Sequence, residues 1–197
     1  MPGLLRRGPA AVKRVALTFD DGPDHLTSRY LDVLDDLGVP ATFFLCGKTA
    51  EQHPELVREY LRRGHQIAAH GYDHTSFTKL SRRALLDQCE RTEIAIGGQL
   101  TGHPWVRPPH GSLDATSTLS LLAAGYVIAM WSVDSHDYDE HDAAKVAERC
   151  SPAKVGPGDV LLFHEGQEWT LDALPRIVAA LHASGLECVT MHDLFAR

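Results

Sequence analysis

Two adjacent carboxylates, Asp20 and Asp21, stand in "LTFDDGPDH" (17–25), where an apolar run turns a corner. Gly22 and Pro23 account for the corner, because glycine accepts positive φ and proline fixes φ. A turn does not need two like charges side by side, whereas chemistry can use them. His70 and His74 in "HGYDH" form an H-x-x-x-H pair that can offer two imidazoles to one ion. One carboxylate completes a three-ligand set with positions left open for water. Such a 2-His-1-Asp set could hold Zn²⁺ for hydrolysis or Fe²⁺ for oxygen chemistry. The spare carboxylate favours hydrolysis: one Asp binds the ion while its neighbour takes a proton from water whose pKa the ion lowers toward ~7.

Seven short apolar runs must position these groups: "VALTF" (15–19), "TFFLC" (42–46), "QIAAH" (66–70), "WVR" (105–107), "YVIAMW" (126–131), "VLLFH" (160–164) and "LECVT" (186–190). Runs of this length without strict alternation suit strands buried on both faces, as in parallel sheets. Segments with helical spacing lie between them, such as the Leu31, Leu34, Leu37 stripe. Gly38, Gly64, Gly125 and Gly185 stand where a helix would hand over to a strand, and Pro54 suits a first helical turn. Seven strands alternating with about six helices predict a β/α protein with a parallel sheet. Residues 14–197 read as one domain and residues 1–13 as a loose arm. On this frame Asp20-Asp21, His70, "RPPHG" (107–111), "WSVDSHDY" (131–138) and His164 each follow a strand. Catalytic groups of barrels and open α/β sheets gather at those carboxyl ends.

Composition narrows the field. At 197 residues with 44% hydrophobic and 23% charged residues, the chain can bury a sizeable core. A net charge of −7 argues against nucleic acid or an anionic membrane as the main partner. Twelve histidines raise the expectation of metal or acid–base chemistry. Cys46, Cys89, Cys150 and Cys188 contain no C-x-x-C pair and read as reduced thiols. The opening segment lacks an apolar stretch of signal-peptide length and no segment approaches the ~20 apolar residues that span a bilayer. Cytoplasmic residence is the default expectation, with the cell wall or exterior the alternative if a leader was removed.

The five motifs "TFDDG", "HGYDH", "RPPHG", "WSVDSHDY" and "LLFH", in this order, resemble those of the polysaccharide deacetylase family, also known as carbohydrate esterase family 4 or the NodB homology domain. The likeness runs from about Val15 to the C-terminus. It implies an α/β fold, a distorted (β/α) barrel with seven parallel strands. It also implies Asp20 as general base, Asp21, His70 and His74 as ligands of one divalent ion (Zn first, Co or Ni as alternatives), and Arg107 as the partner of Asp20. The backbone N–H of His110 would stabilise the oxyanion, and His164, held by Asp137, would protonate the leaving amine. Leu162, Trp131 and Tyr138 would enclose the acetyl methyl. This chain departs from the pattern at His110, which replaces an aromatic, and at Tyr138, which replaces a tryptophan. Asp134 competes with Asp137 as the partner of His164.

The resulting expectation is a metal-dependent hydrolase that removes N-acetyl groups from N-acetylglucosamine-containing sugars, chitin-like oligomers or peptidoglycan, in an open groove. Its rivals are an O-acetyl esterase on xylan, a deacetylase or deformylase of a small intracellular sugar, a non-catalytic carbohydrate-binding barrel and an Fe²⁺ oxygenase. The expected partner is a carbohydrate, with neither nucleic acid nor membrane; oligomeric state is left open.

Overall fold

The computed structural model describes residues 3–98 and 102–196. Nine strands occur among them: β1 (Gly3–Leu5), β2 (Arg14–Asp20), β3 (Thr42–Leu45), β4 (Gln66–Ala69), β5 (Trp105–Val106), β6 (Val127–Ala129), β7 (Val133–Asp134), β8 (Val160–His164) and β9 (Glu187–Val189). The helices are α1 (Thr27–Leu37), α2 (Gly47–Gln52), α3 (Pro54–Arg62), α4 (Arg82–Ala95), α5 (Ala115–Ala123), α6 (Ala143–Arg149), α7 (Glu168–Ala183) and α8 (Met191–Phe195). The strands pair in parallel in the order β1-β6-β5-β4-β3-β2-β8-β7, with β9 on the first half of β2, and the sheet curls into a half-barrel. This is the expected distorted (β/α) barrel.

The expected seven strands are all present, and the count is corrected by two. The first addition is β1, whose residues pair with Val127–Ala129. Just beyond it the Gly8 N–H donates to the Gly158 carbonyl at 2.7 Å, and Arg7 bridges to Asp159. Residues 3–8 of the stretch expected as a loose arm are therefore tied to β6 on one side and to the approach to β8 on the other. The second addition, β7, is two residues long. The helix count also rises, from about six to eight α-helices among the described residues, α2 and α8 being short.

Alternation along β2 divides the core into two layers. Leu17 and Phe19 point outward and pack with Phe43, Leu161, Phe163 and the helix residues Leu31, Leu34 and Leu174. Phe19 stacks on Phe43 and Phe163 with ring centroids 5.1 and 5.4 Å apart. Ala16 faces inward with Phe44, Ala68, Ala129 and Val160, and Met191 and Leu194 of α8 join that layer. Burial of each large side chain contributes ~1.5–3 kcal/mol, and both faces of β2 gain from it. The period of two also places Thr18 and Asp20 on the inward face, at the carboxyl end of the strand.

Local signals behave as their chemistry requires. Gly38 closes α1 in the left-handed region at φ 66°, and Pro54 opens α3. The acidic tract 134–142 ends in a cap: the Asp142 carboxylate accepts from the Ala144 and Lys145 N–H groups at the start of α6. All four cysteines are buried and unpaired. Among the described residues no helix is long and apolar enough to cross a membrane.

Candidate active site

Asp20 ends β2 and is 3% exposed. Its neighbour Asp21 adopts φ 74°, a left-handed conformation that a non-glycine residue holds only when its surroundings enforce it. The effect is to send two successive carboxylates to one place. Asp21 Oδ1 lies 3.2 Å from His74 Nε2 and 3.5 Å from His70 Nε2. Among the described residues Asp21 Oδ1 is buried without a hydrogen-bond partner.

His70 follows β4 and is 2% exposed. Its Nδ1 is 2.8 Å from the Arg107 carbonyl. A carbonyl can only accept, so Nδ1 carries the proton and Nε2 turns its lone pair toward Asp21. Burial lowers the His70 pKa to about 3, against the pull of Asp21, which keeps the ring neutral. His74 reaches the same point from a backbone at φ 61°, its ring 5.0 Å from that of His70. The ligand atoms of Asp21, His70 and His74 all lie within 4.8 Å of one another. Two imidazoles and a carboxylate oxygen with no donor to satisfy it form a donor set that suits a divalent cation.

Arg107, which follows β5, is wholly buried inside the barrel. One guanidinium nitrogen donates to Asp20 Oδ1 at 2.7 Å and to Thr18 Oγ1 at 2.8 Å. Others donate to the Ala129 and Met130 carbonyls at 3.2 and 3.3 Å, and the group lies 4.0 Å over the Phe44 ring. Burial raises the Asp20 pKa above its ordinary value while Arg107 and His164 draw it back. Asp20 Oδ1 is thus committed to Arg107. Oδ2 stands 3.6 Å from His70 Nε2, beside the ligand cluster.

Asp137, not Asp134, is the partner of His164. His164 Nδ1 lies 2.7 Å from Asp137 Oδ1, and the His164 N–H donates to Oδ2 at 2.8 Å. The Thr170 hydroxyl also donates to Oδ2 at 2.8 Å, and Asp137 is wholly buried. Asp134 Oδ1 instead accepts from the His136 N–H at 2.8 Å. Burial alone would lower the His164 pKa. The Asp137 hydrogen bond and charge, joined by Asp20 and Asp21, outweigh burial and raise it to about 9. Because the folded value exceeds the ordinary 6.5, this pair's stabilisation is complete below pH ~6.5 and disappears as pH rises through 9. The melting temperature is accordingly expected to fall across that window. Asp137→Asn should flatten the fall, and an unchanged slope in that variant would contradict the pairing.

These groups border one cavity of about 380 Å³, whose wall includes Trp131, Tyr138, Leu162, Asp134 and His110. Every residue expected at the site is therefore either in its wall or, for Arg107 and Asp137, directly behind it. His110 holds φ 58° in a tight turn, with its ring 4.4 Å from that of His74. Tyr138, half exposed, meets His164 edge to face at 5.4 Å. Asp73 accepts from the Thr75 N–H at 3.1 Å.

Three residues were missed from the sequence. Thr18 shares Arg107 with Asp20, and its position two residues earlier on the same strand face was a usable signal. Thr170 on α7 has no signal of its own. Glu165, next to His164, is 3% exposed, and burial pushes its pKa up to about 8 although Tyr60 and Thr27 donate to it.

The family model for polysaccharide deacetylase matches residues 7–129. The peptidoglycan-N-acetylglucosamine deacetylase PgdA of Listeria monocytogenes is 35% identical over 187 residues, covering 94% of this chain and 39% of that protein. This chain thus spans about two fifths of the length of that relative. A chitooligosaccharide deacetylase of Rhizobium leguminosarum bv. trifolii is 32% identical over 192 residues, covering 88% of this chain and 87% of that protein. Among solved structures, the Bc1960 peptidoglycan N-acetylglucosamine deacetylase, in complex with 4-naphthalen-1-yl-N-oxidanyl-benzamide, superposes with a TM-score of 0.91. It is 32% identical, over 98% of this chain and 92% of that one.

Proposed function

This chain belongs to the polysaccharide deacetylase family, and we propose that its cavity hydrolyses the N-acetyl amide of N-acetylglucosamine in chitin-like oligomers or peptidoglycan. The observation that carries the reading is the convergence in one cavity of a ligand cluster, a carboxylate held by a buried arginine, and a histidine charged by a buried aspartate.

Asp21, His70 and His74 would hold one divalent ion, with Zn²⁺ the proposed occupant because a two-nitrogen, one-oxygen set with open positions suits it. The unpartnered, buried Asp21 Oδ1 supports that fit. When bound, the ion supplies Lewis acidity toward a carbonyl oxygen and toward water, whose pKa it lowers toward ~7. Asp20 accepts the proton of the attacking water through Oδ2, since Oδ1 is held by Arg107. The His110 N–H is assigned to the oxyanion that develops as the amide carbon becomes tetrahedral. His164, protonated by virtue of Asp137, gives its proton to the departing sugar nitrogen, so that acetate and the free amine leave. Trp131, Leu162 and Tyr138 are assigned to the acetyl methyl. The half-exposed Tyr138 and the exposed His110 leave the site open enough to admit a sugar within a chain.

The test is mass spectrometry of chitooligosaccharides incubated with Zn²⁺- or Co²⁺-loaded protein, with acetylxylan alongside. Stepwise acetyl loss that disappears when the metal is stripped is the expected result. Acetyl loss confined to xylan would move the substrate to esters, and no loss from either would overturn the reading.

A further inference from the structure

The loop after β8 locks into the loop after β2 at two points where only glycine leaves room. A Cβ on Gly22 would lie 1.5 Å from Glu165 Oε2 and 2.8 Å from the Tyr60 hydroxyl oxygen. A Cβ on Gly166, itself at φ 81°, would lie 2.4 Å from Asp24 Oδ2. The Glu165 carboxyl is therefore pressed against the backbone of the turn that follows Asp21. On its other side it is held by hydroxyls. Thr27 donates to Oε1 at 3.0 Å, and Tyr60 donates to Oε1 and Oε2 at 3.0 and 2.7 Å. Thr27 in turn accepts from the Asp24 N–H at 2.8 Å. The Glu165 N–H donates to the Asp20 carbonyl at 3.0 Å.

We propose that Glu165 is a positioning residue, a buried brace that holds Asp20 and Asp21 in register with His164. The physical case has two parts. Asp21 sits in a left-handed conformation that relaxes unless something opposes it. Glu165 fills the space directly behind Gly22 and is fixed there by three hydroxyl contacts and by packing, so the turn cannot retreat. The same residue directly follows His164 at the end of β8, which ties the base and ligand turn to the acid through one side chain. Loss of the brace lets Asp21 Oδ1 drift from the two imidazoles, although Glu165 itself is not among the residues that line the cavity.

This inference rests on reading Asp21, His70 and His74 as a metal site, so its test reads metal affinity as well as turnover. Co²⁺ binding by calorimetry, steady-state kinetics on a chitooligosaccharide and thermal melting would be measured for the wild type, Glu165→Leu and Glu165→Gln. Leucine keeps much of the volume and removes the acceptors, whereas glutamine keeps an acceptor oxygen for Tyr60 and Thr27. Glu165→Leu is expected to weaken Co²⁺ binding and lower kcat by about 10–100-fold each, with KM nearly unchanged, and Glu165→Gln to recover most of both. Unaltered Co²⁺ affinity in a folded Glu165→Leu protein would overturn the proposal. So would a Glu165→Gln protein as impaired as Glu165→Leu. A wild type that binds no Co²⁺ would overturn both this inference and the metal reading beneath it, whereas a wild type that binds Co²⁺ without deacetylating leaves the affinity comparison decisive.

Discussion

Replacing Asp20 with Asn should lower kcat by about 10²–10⁴-fold while leaving the affinity for Zn²⁺ or Co²⁺ close to that of the wild type. Asparagine keeps the shape and an oxygen for Arg107 but cannot accept a proton. The ligand atoms of Asp21, His70 and His74 are on other residues, so metal binding has no reason to fail. The substitution also leaves the buried Arg107 charge facing a neutral amide, and breaking a buried pair typically costs about 3–5 kcal/mol. A lower melting temperature is therefore expected, and kinetics should be recorded well below it. A loss confined to kcat, with KM steady, is the signature of a group needed in the transition state rather than for binding. Full turnover in the variant would remove Asp20 as the base. A collapse of metal affinity would instead make Asp20 a ligand.

His164→Ala is expected to slow hydrolysis of an N-acetyl sugar by about 10²–10⁴-fold and to slow an activated acetyl ester much less. An amine leaves poorly unless it is protonated, whereas a phenolate leaves unaided. Kinetic comparison of chitooligosaccharide with an aryl acetate therefore isolates the proton that His164 delivers. Asp137 is wholly buried and accepts from both the ring and the backbone N–H of His164. Asp137→Asn should consequently shift the same selectivity in the same direction. Equal losses on amide and ester would argue that His164 shapes the site without acting as the acid.

Much of this site was legible because its chemistry is written in short, local spacings. The Asp20-Asp21 pair, the four-residue step from His70 to His74 and the strand-end position of His164 survive any uncertainty about how the sheet closes. The apolar runs that locate the strands were long enough to stand out, and each of the seven became one. The two strands that were not read, β1 and β7, are three and two residues long. Length alone does not separate them, since β5 is as short; β1 lies in the opening segment and β7 inside the polar stretch "WSVDSHDY", and their pairing is decided by partners more than a hundred residues away in β6 or nearly thirty away in β8.

The choice between Asp134 and Asp137 shows the same division at the level of one side chain. Both lie within "DSHD", and composition cannot rank them. The backbone decides: His136 takes φ 55°, Asp134 is spent on the His136 N–H, and Asp137 is delivered beneath His164. Thr170 and Glu165 were equally silent in the sequence, since their partners Asp137, Tyr60 and Thr27 come from other elements.

By itself, then, the sequence determined which residues could bind an ion, take a proton and give one, because those capacities belong to side-chain chemistry and to strand ends that an apolar run announces. Only the tertiary structure decided how far each group is charged and where it points. Burial neutralises His70, Asp137 charges His164, Arg107 occupies one oxygen of Asp20, and Glu165 backs the turn at Gly22. Those effects depend on desolvation and on contacts between segments distant in the chain, and neither is encoded in local spacing.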